Sequence, residues 1–342
     1  MYEGCYTAIV TPFSGDGTVD YEMLHRLVEF QVEQGASGVV AVGTTGESPT
    51  LTWDEHLKVI ARTLDSSADR FQVIAGTGSN STSEAIDGTR HAWDLGARNA
   101  LLVDPYYNGP SSLEIRKEYY EPLAIEFPEM QLIPYIIPGR TGTQLSALDL
   151  GELARKFSNV RSVKDAVGNF DWTREVRREC GPVFDILSGD DDKTFDLMLD
   201  AKIQAAGTIS VVSNLVPGAL TEMTYAIIKG RTDRATQLRD ALAPLFGIVT
   251  VSVEHSGPRG PQKLKFRNPL AVKTALRLLG VPVGQCRKPL GRMTKEGVQV
   301  VLNALRKVQE KDPAILEPLG DHFDVDVPRR LEDERSLEGL HY

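Results

Sequence analysis

GVVAVGTTGESPTLTWDEHLKVIARTLDSSA, residues 38–68, contains one complete structural unit. GVVAVG (38–43) is a short β-branched run that is apolar at successive positions, so both faces of the strand are buried. DEHLKVIARTLDSSA (54–68) carries its apolar residues at helical spacing. Between them lies GTTGES (43–48), a tight strand-to-helix turn in which Ser48 or Thr52 caps the helix. A strand apolar on both faces, followed by an amphipathic helix, is the building block of a parallel sheet covered by helices.

The unit recurs along the chain. The strands are YTAIVTPF (6–13), GVVAVG (38–43), FQVIAGTG (71–78), NALLVDP (99–105), QLIPYIIP (131–138), VRSVKDA (160–166), VFDILSG (183–189) and GTISVVS (207–213). Each is followed by a helical pattern, such as YEMLHRLVEFQVEQG or SEAIDGTRHAWDLG. Eight such units in about 230 residues match the span of a (β/α)8 TIM barrel, α/β in class. The alternative, a doubly wound sheet, has fewer strands, and no early GxGxxG is present. The barrel is expected over residues 1–230. Helical patterns at 231–253, 268–280 and 294–310 then form a C-terminal helical extension, residues 231–311. SGPRGPQKLKF (256–266) reads as a solvated Gly/Pro-rich connector. The acidic tail, 312–342, reads as a loosely held terminus.

The chain has 342 residues, 41% hydrophobic and 25% charged, with a net charge of −9. That balance argues against nucleic-acid binding, which calls for a basic face. It leaves room for an anionic small substrate, because a few local cations dominate a pocket. Cys5, Cys180 and Cys286 are far apart and form no CxxC pair. Neither a disulfide framework nor a zinc site is expected, and a reduced cytoplasmic location is. The opening MYEGCYTAIVTPF has no signal-peptide pattern, and no apolar run is long enough to cross a bilayer. The histidines show no HxxxH or HExxH spacing, GTTGES lacks the GK[ST] ending of a P-loop, and Asp190, Asp191 and Asp192 read as a helix start. No metal or organic cofactor is expected.

In such a barrel the chemistry sits at the C-terminal ends of the strands. Those ends carry GTTGES, GTGSN (76–80), PYYN (105–108), Tyr135 with PGRTG (138–142), Lys164 and SGDDD (188–192). Lys164 lies in the middle of an apolar strand. It is either a buried lysine paired with Asp165 or Asp190, or a nucleophilic amine. Burial disfavours the charged form. A fall of roughly 3 units, about 4 kcal/mol, leaves a lysine half neutral near physiological pH. A neutral amine attacks a ketone to form a Schiff base. Forming and dehydrating the carbinolamine needs proton shuttles, for which Tyr135 and Tyr107 are candidates, linked by Thr45.

GTTGES, DPYYNGPS, the YxxPGRTG of the fifth strand, VKDAVGN and LSGDDDKTF followed by GTISVVSNLVPG are together similar in order and spacing to the dihydrodipicolinate synthase / N-acetylneuraminate lyase family, over residues 4 to 305. The resemblance implies a (β/α)8 barrel with a C-terminal helical extension. It implies that Lys164 forms a Schiff base with pyruvate, that Tyr135 is the general acid/base, and that Thr45 relays protons between Tyr135 and Tyr107. Tyr107 would reach across a subunit interface of a homotetramer, a dimer of dimers. Thr44 would hold the pyruvate carboxylate, while Gly189 and Ile209 position the pyruvyl group. Arg140 points to the members that condense pyruvate with L-aspartate 4-semialdehyde in lysine and diaminopimelate biosynthesis, since an arginine fork matches a carboxylate.

The resemblance also implies an L-lysine effector site at Ser48, Trp53, His56, Asn80, Glu84 and Tyr106. The other reading of these residues is an ordinary polar interface. Two positions depart from the family pattern: Ile136, where many members have Asn, and Asp165, where many have Glu. Both are expected to reshape the pocket. The stretch 254–267 replaces a shorter connection. The alternatives are another Schiff-base aldolase or lyase acting on a sugar acid or other aldehyde, and a catalytically silent binding barrel.

Overall fold

The computed structural model describes residues 2–258 and 260–342. Residues at alternate strand positions split between two cores, as a closed parallel sheet requires. Tyr6, Ala8, Val40, Ile74, Leu101, Ile133, Leu187 and Ile209 fill the barrel interior. Their neighbours Val39, Ala41, Val73, Ala100, Leu102, Leu132, Val163 and Ile186 face the surrounding helices. The strands are β1 (Gly4–Ala8), β2 (Gly38–Ala41), β3 (Gln72–Gly76), β4 (Asn99–Val103), β5 (Gln131–Ile136), β6 (Ser162–Asp165), β7 (Asp185–Ser188) and β8 (Gly207–Ser210). They pair in sequence order into a closed barrel, with β1 parallel to both β2 and β8. All eight strands lie where the sequence places them, and closure excludes the doubly wound sheet. The helix Trp53–Ser67 begins with a capping box in which Thr52, not Ser48, accepts from the Glu55 backbone. None of the described helices is long and apolar enough to cross a membrane.

Beyond the barrel run the helices Thr232–Phe246, Leu270–Leu278 and Lys295–Lys311. The first ends seven residues before the helical reading of 231–253 does, because the chain turns into a strand. β9 (Thr250–Gly257) and β10 (Gly260–Arg267) form an antiparallel hairpin. This corrects the expected connector. Val251 pairs with Phe266 and Val253 with Leu264. One face of the hairpin is therefore apolar, and it packs on Lys295–Lys311, where Phe266 abuts Gly297.

The tail is likewise not loose. Leu319, Phe323, Val327 and Leu331, four residues apart, are all buried. Phe323 meets Phe30 edge-on at 5.5 Å, and the His322 ring lies 2.7 Å from Glu33.

The extension is locked to the barrel rim by a buried ion pair. Lys273 Nζ donates to Glu47 Oε1 at 2.8 Å, and both side chains are essentially inaccessible. Lys273 also donates to the Thr11 and Gln285 carbonyls and lies 4.2 Å above the Phe13 ring. Glu47 Oε2 accepts from the Arg287 backbone, and the Arg287 guanidinium forks onto Glu55. Removing one partner of such a pair leaves a buried, uncompensated charge, which costs about 3–5 kcal/mol. Lys273→Met should therefore lower the urea unfolding midpoint sharply, and Glu47→Gln combined with Lys273→Met should recover most of the loss. Equal midpoints for wild type and the single variant would show that the pair contributes little.

Candidate active site

Lys164 stands on β6 inside the barrel, 5% exposed. Tyr135 occupies the facing position on β5. The lysine Nζ lies 4.2 Å from the centre of the Tyr135 ring. Among the described residues no carboxylate comes within ion-pair distance of it. Asp165 accepts instead from Thr173 Oγ1 at 2.5 Å and from the Val167 backbone, and Asp190 pairs with Lys193 at 3.1 Å. Lys164 is thus paired with neither Asp165 nor Asp190. Burial pulls its pKa down to about 8, against the opposing charges of Asp191 and Asp190. Arg140 adds to the fall.

The neighbouring positions leave room for this amine. A Cβ on Gly189 would sit 2.9 Å from Ala166 Cβ, 3.1 Å from the Asp165 carbonyl and 3.2 Å from Lys164 Cε. Ile209 is buried in the interior cluster with Tyr135. Asp191, read from sequence as part of a helix start, is buried and accepts from Ser210 Oγ and the Val211 and Val212 backbones. Burial pushes its carboxyl up to about 6. Nothing in the sequence pattern distinguishes it from its two neighbours.

Burial raises the Tyr135 phenol above its usual range, while the Arg140 charge and a hydrogen bond with Thr44 hold it back. The hydroxyl beside Tyr135 therefore belongs to Thr44. Thr45 is 2% exposed and accepts from Asn268 Nδ2 at 2.9 Å. The Thr45 hydroxyl is thus turned toward Asn268. Tyr107 has a φ of 78°, is 90% exposed and is outside the cavity lining. Arg140 stands at the rim, where its guanidinium donates to the Asn268 carbonyl at 3.0 Å. Ile136 faces the outer core, Asp165 bonds the Val167 backbone and Thr173 of the following helix, and neither is in the cavity lining.

A cavity of about 400 Å³ opens over Tyr135, Thr44 and Arg140 and runs on to Ser48, Trp53, His56, Glu84 and Tyr106. Asn80, on the surface, is outside its lining. His56 is buried with Nδ1 unpartnered, and burial pushes the ring down to about 4. Trp53 lies 5.2 Å from it, ring to ring, and Glu84 accepts from Ser79 Oγ at 2.6 Å. Among the described residues no group of three or more His, Cys, Asp or Glu side chains converges as a metal site would.

The family model for the dihydrodipicolinate synthetase family matches residues 1–308. A 4-hydroxy-tetrahydrodipicolinate synthase of Methanothrix thermoacetophila is 39% identical over 311 residues, covering 91% of this chain and 98% of the relative. A solved dihydrodipicolinate synthase of Acinetobacter baumannii, complexed with pyruvate, superposes with a TM-score of 0.81 at 37% identity, covering 90% of this chain and 99% of that one. The Cyanidioschyzon merolae enzyme, solved with lysine bound, gives a TM-score of 0.82 at 33% identity, covering 90% and 98%.

The contact distances at Gly189 generate a direct test. Gly189→Ala should push the Lys164 side chain off its line, and misplacing a reacting group by about 1 Å costs on the order of 100-fold. The rate of borohydride-trappable pyruvate addition should fall by that order while circular dichroism is unchanged. An unaltered trapping rate would show that the lysine has slack there.

Proposed function

The chain belongs to the dihydrodipicolinate synthetase family, and on that premise we propose how its own residues carry out the reaction of a 4-hydroxy-tetrahydrodipicolinate synthase. That reaction condenses pyruvate with L-aspartate 4-semialdehyde and serves lysine and diaminopimelate synthesis. It is a lyase of the class I aldolase type.

The observation that carries the residue-level reading is a buried, unpaired Lys164 beneath the Tyr135 ring. The neutral amine attacks the pyruvate ketone carbon, and the carbinolamine loses water to give the protonated Schiff base. That cation draws a proton off the pyruvate methyl group and leaves an enamine. The enamine carbon adds to the aldehyde, whose oxygen takes up a proton. The amino group of the acceptor then attacks the imine carbon, closes the ring and releases Lys164. No organic cofactor or metal enters this scheme.

Tyr135 serves as the acid and base of these transfers, and its raised pKa keeps it protonated at the start. Thr44 passes the proton onward to Tyr107 of a neighbouring subunit, while amides of the GTTGES turn and the Gly189 and Ile209 backbones cradle pyruvate. Arg140 receives the carboxylate of the acceptor.

Incubation with pyruvate followed by borohydride should leave a pyruvyl adduct on Lys164. The nucleophile is the deprotonated amine, so the trapping rate should climb as pH rises through about 8 and level off above it. An adduct on another lysine, or none from folded protein, sinks the reading.

We assign the exposed Trp53, Tyr106 and Tyr107 to contacts between subunits of a homotetramer. The cavity beyond them suits L-lysine as an effector: Glu84 would face its amine, Trp53 its aliphatic stem, and the unpartnered His56 Nδ1 a polar end. Tyr106 adjoins Tyr107, which couples the two sites. Light scattering at four chain masses and initial rates that fall as L-lysine is added are the expected results. A monomer uninhibited at millimolar lysine removes both assignments. Three free cysteines agree with a reducing cytoplasm, which cell fractionation checks.

A further inference from the structure

The base of the hairpin meets the catalytic rim through a reciprocal pair of bonds. Arg267, the last residue of β10, donates from its guanidinium to the Gly139 carbonyl at 2.9 Å. Arg140, the next residue after Gly139, donates from its own guanidinium to the carbonyl of Asn268, the next residue after Arg267, at 3.0 Å. Each arginine thus holds the backbone beside the other. Asn268 continues the link inward by donating to Thr45.

Neither guanidinium meets a carboxylate among the described residues; their hydrogen bonds go to carbonyls. Two cations held side by side repel one another. Arg140 is lowered by desolvation, and the charge of Arg267 lowers it further. Such a pair gains energy when an anion arrives between or before it. Arg267 also ends a row. Lys263, Lys265 and Arg267 alternate along β10 on the exposed face, while Leu264 and Phe266 turn inward. Opposite them on the same face are Glu254, Ser252 and Thr250, so one carboxylate faces three cations.

We infer that Arg267 is a specificity-determining residue of the acceptor subsite: it positions Arg140 through the Gly139 carbonyl and joins it in drawing in the carboxylate of the acceptor aldehyde. The row on β10 extends that field outward from the rim. The inference rests on the Schiff-base reading of Lys164 and adds to it a residue at the second-substrate end, contributed by the hairpin.

The test is two-substrate steady-state kinetics on wild type, Arg267→Gln and Arg267→Lys, at low and high salt. Loss of one charge-assisted contact should raise the KM for aspartate semialdehyde by about fivefold or more in Arg267→Gln. The KM for pyruvate and the yield of the borohydride adduct on Lys164 should stay near wild type. Arg267→Lys should restore part of the acceptor affinity, and the salt dependence of kcat/KM for the acceptor should weaken in Arg267→Gln. An acceptor KM unchanged in Arg267→Gln, or both KM values rising together, overturns the inference. Wild-type protein that fails to trap pyruvate overturns the Schiff-base reading instead, so the two failures are told apart. Thermal melting of each variant identifies a loss of fold, and in that event the Lys263→Gln/Lys265→Gln variant, which removes two positive charges from the same row, decides through the same salt dependence.

Discussion

The barrel keeps an amine in its interior, and among the described residues no carboxylate is laid against it. A contact ion pair at Lys164 would stabilise the ammonium form and remove the nucleophile. The carboxylates nearest in charge are each engaged elsewhere: Asp165 with Thr173, Asp190 with Lys193, and Asp191 with the backbone after β8. The fields of Asp191 and Asp190 still reach the lysine and oppose its neutralisation, yet burial wins. The displacement from 10.5 to about 8 corresponds to about 3 kcal/mol in favour of the neutral amine. The surrounding choices follow from this constraint. The Tyr135 ring face accepts whatever cationic character remains. Gly189 carries no side chain because one would collide with Lys164 and Ala166.

The rim above the lysine is strained, and the C-terminal extension holds it. Val42, Glu47 and Tyr107 all have left-handed backbone, with φ of 50°, 58° and 78°. Such conformations cost about 1–3 kcal/mol each and persist only where surrounding structure dictates them. For the GTTGES turn that structure is the helix Leu270–Leu278, which sends Lys273 into Glu47, and Asn268, two residues before that helix, which bonds Thr45. Asn268 also receives Arg140. The extension is therefore part of the site, because without it neither the turn nor the arginine is held.

What the sequence revealed and what it hid have physical causes. Each barrel strand is buried on both faces and flanked by a helix, so its signal is strong and local. Lys164 was conspicuous because a charge interrupts that signal. The hairpin was missed because Gly257, Pro258, Gly260 and Pro261 read as breakers, although Val251, Val253, Leu264 and Phe266 alternate around them. The tail was missed because its acidic residues dominate composition, whereas four apolar residues at a spacing of four decide its packing. Thr44 and Thr45 are adjacent in a turn, where periodicity is lost, and only the fold shows which one meets Tyr135. Tyr107 is 90% exposed in the single chain, so the role proposed for it rests on a second chain, which no single-chain pattern encodes.

Arg140 links the two ends of the pocket through charge alone. Its guanidinium disfavours the ammonium form of Lys164 and favours the ionised form of Tyr135. Both effects promote the first chemical step, in which the amine must be neutral and the phenol must give up a proton. In the proposed reaction the carboxylate of the acceptor would bind Arg140 and largely cancel that positive field. By then Lys164 would, on the proposed mechanism, be covalently occupied, so a low pKa would no longer be needed. The cancellation instead lowers the cost of the cationic Schiff base during ring closure. On the proposed mechanism one residue at the rim would therefore act in opposite senses before and after the acceptor arrives, and pyruvate first is the order in which both senses would help.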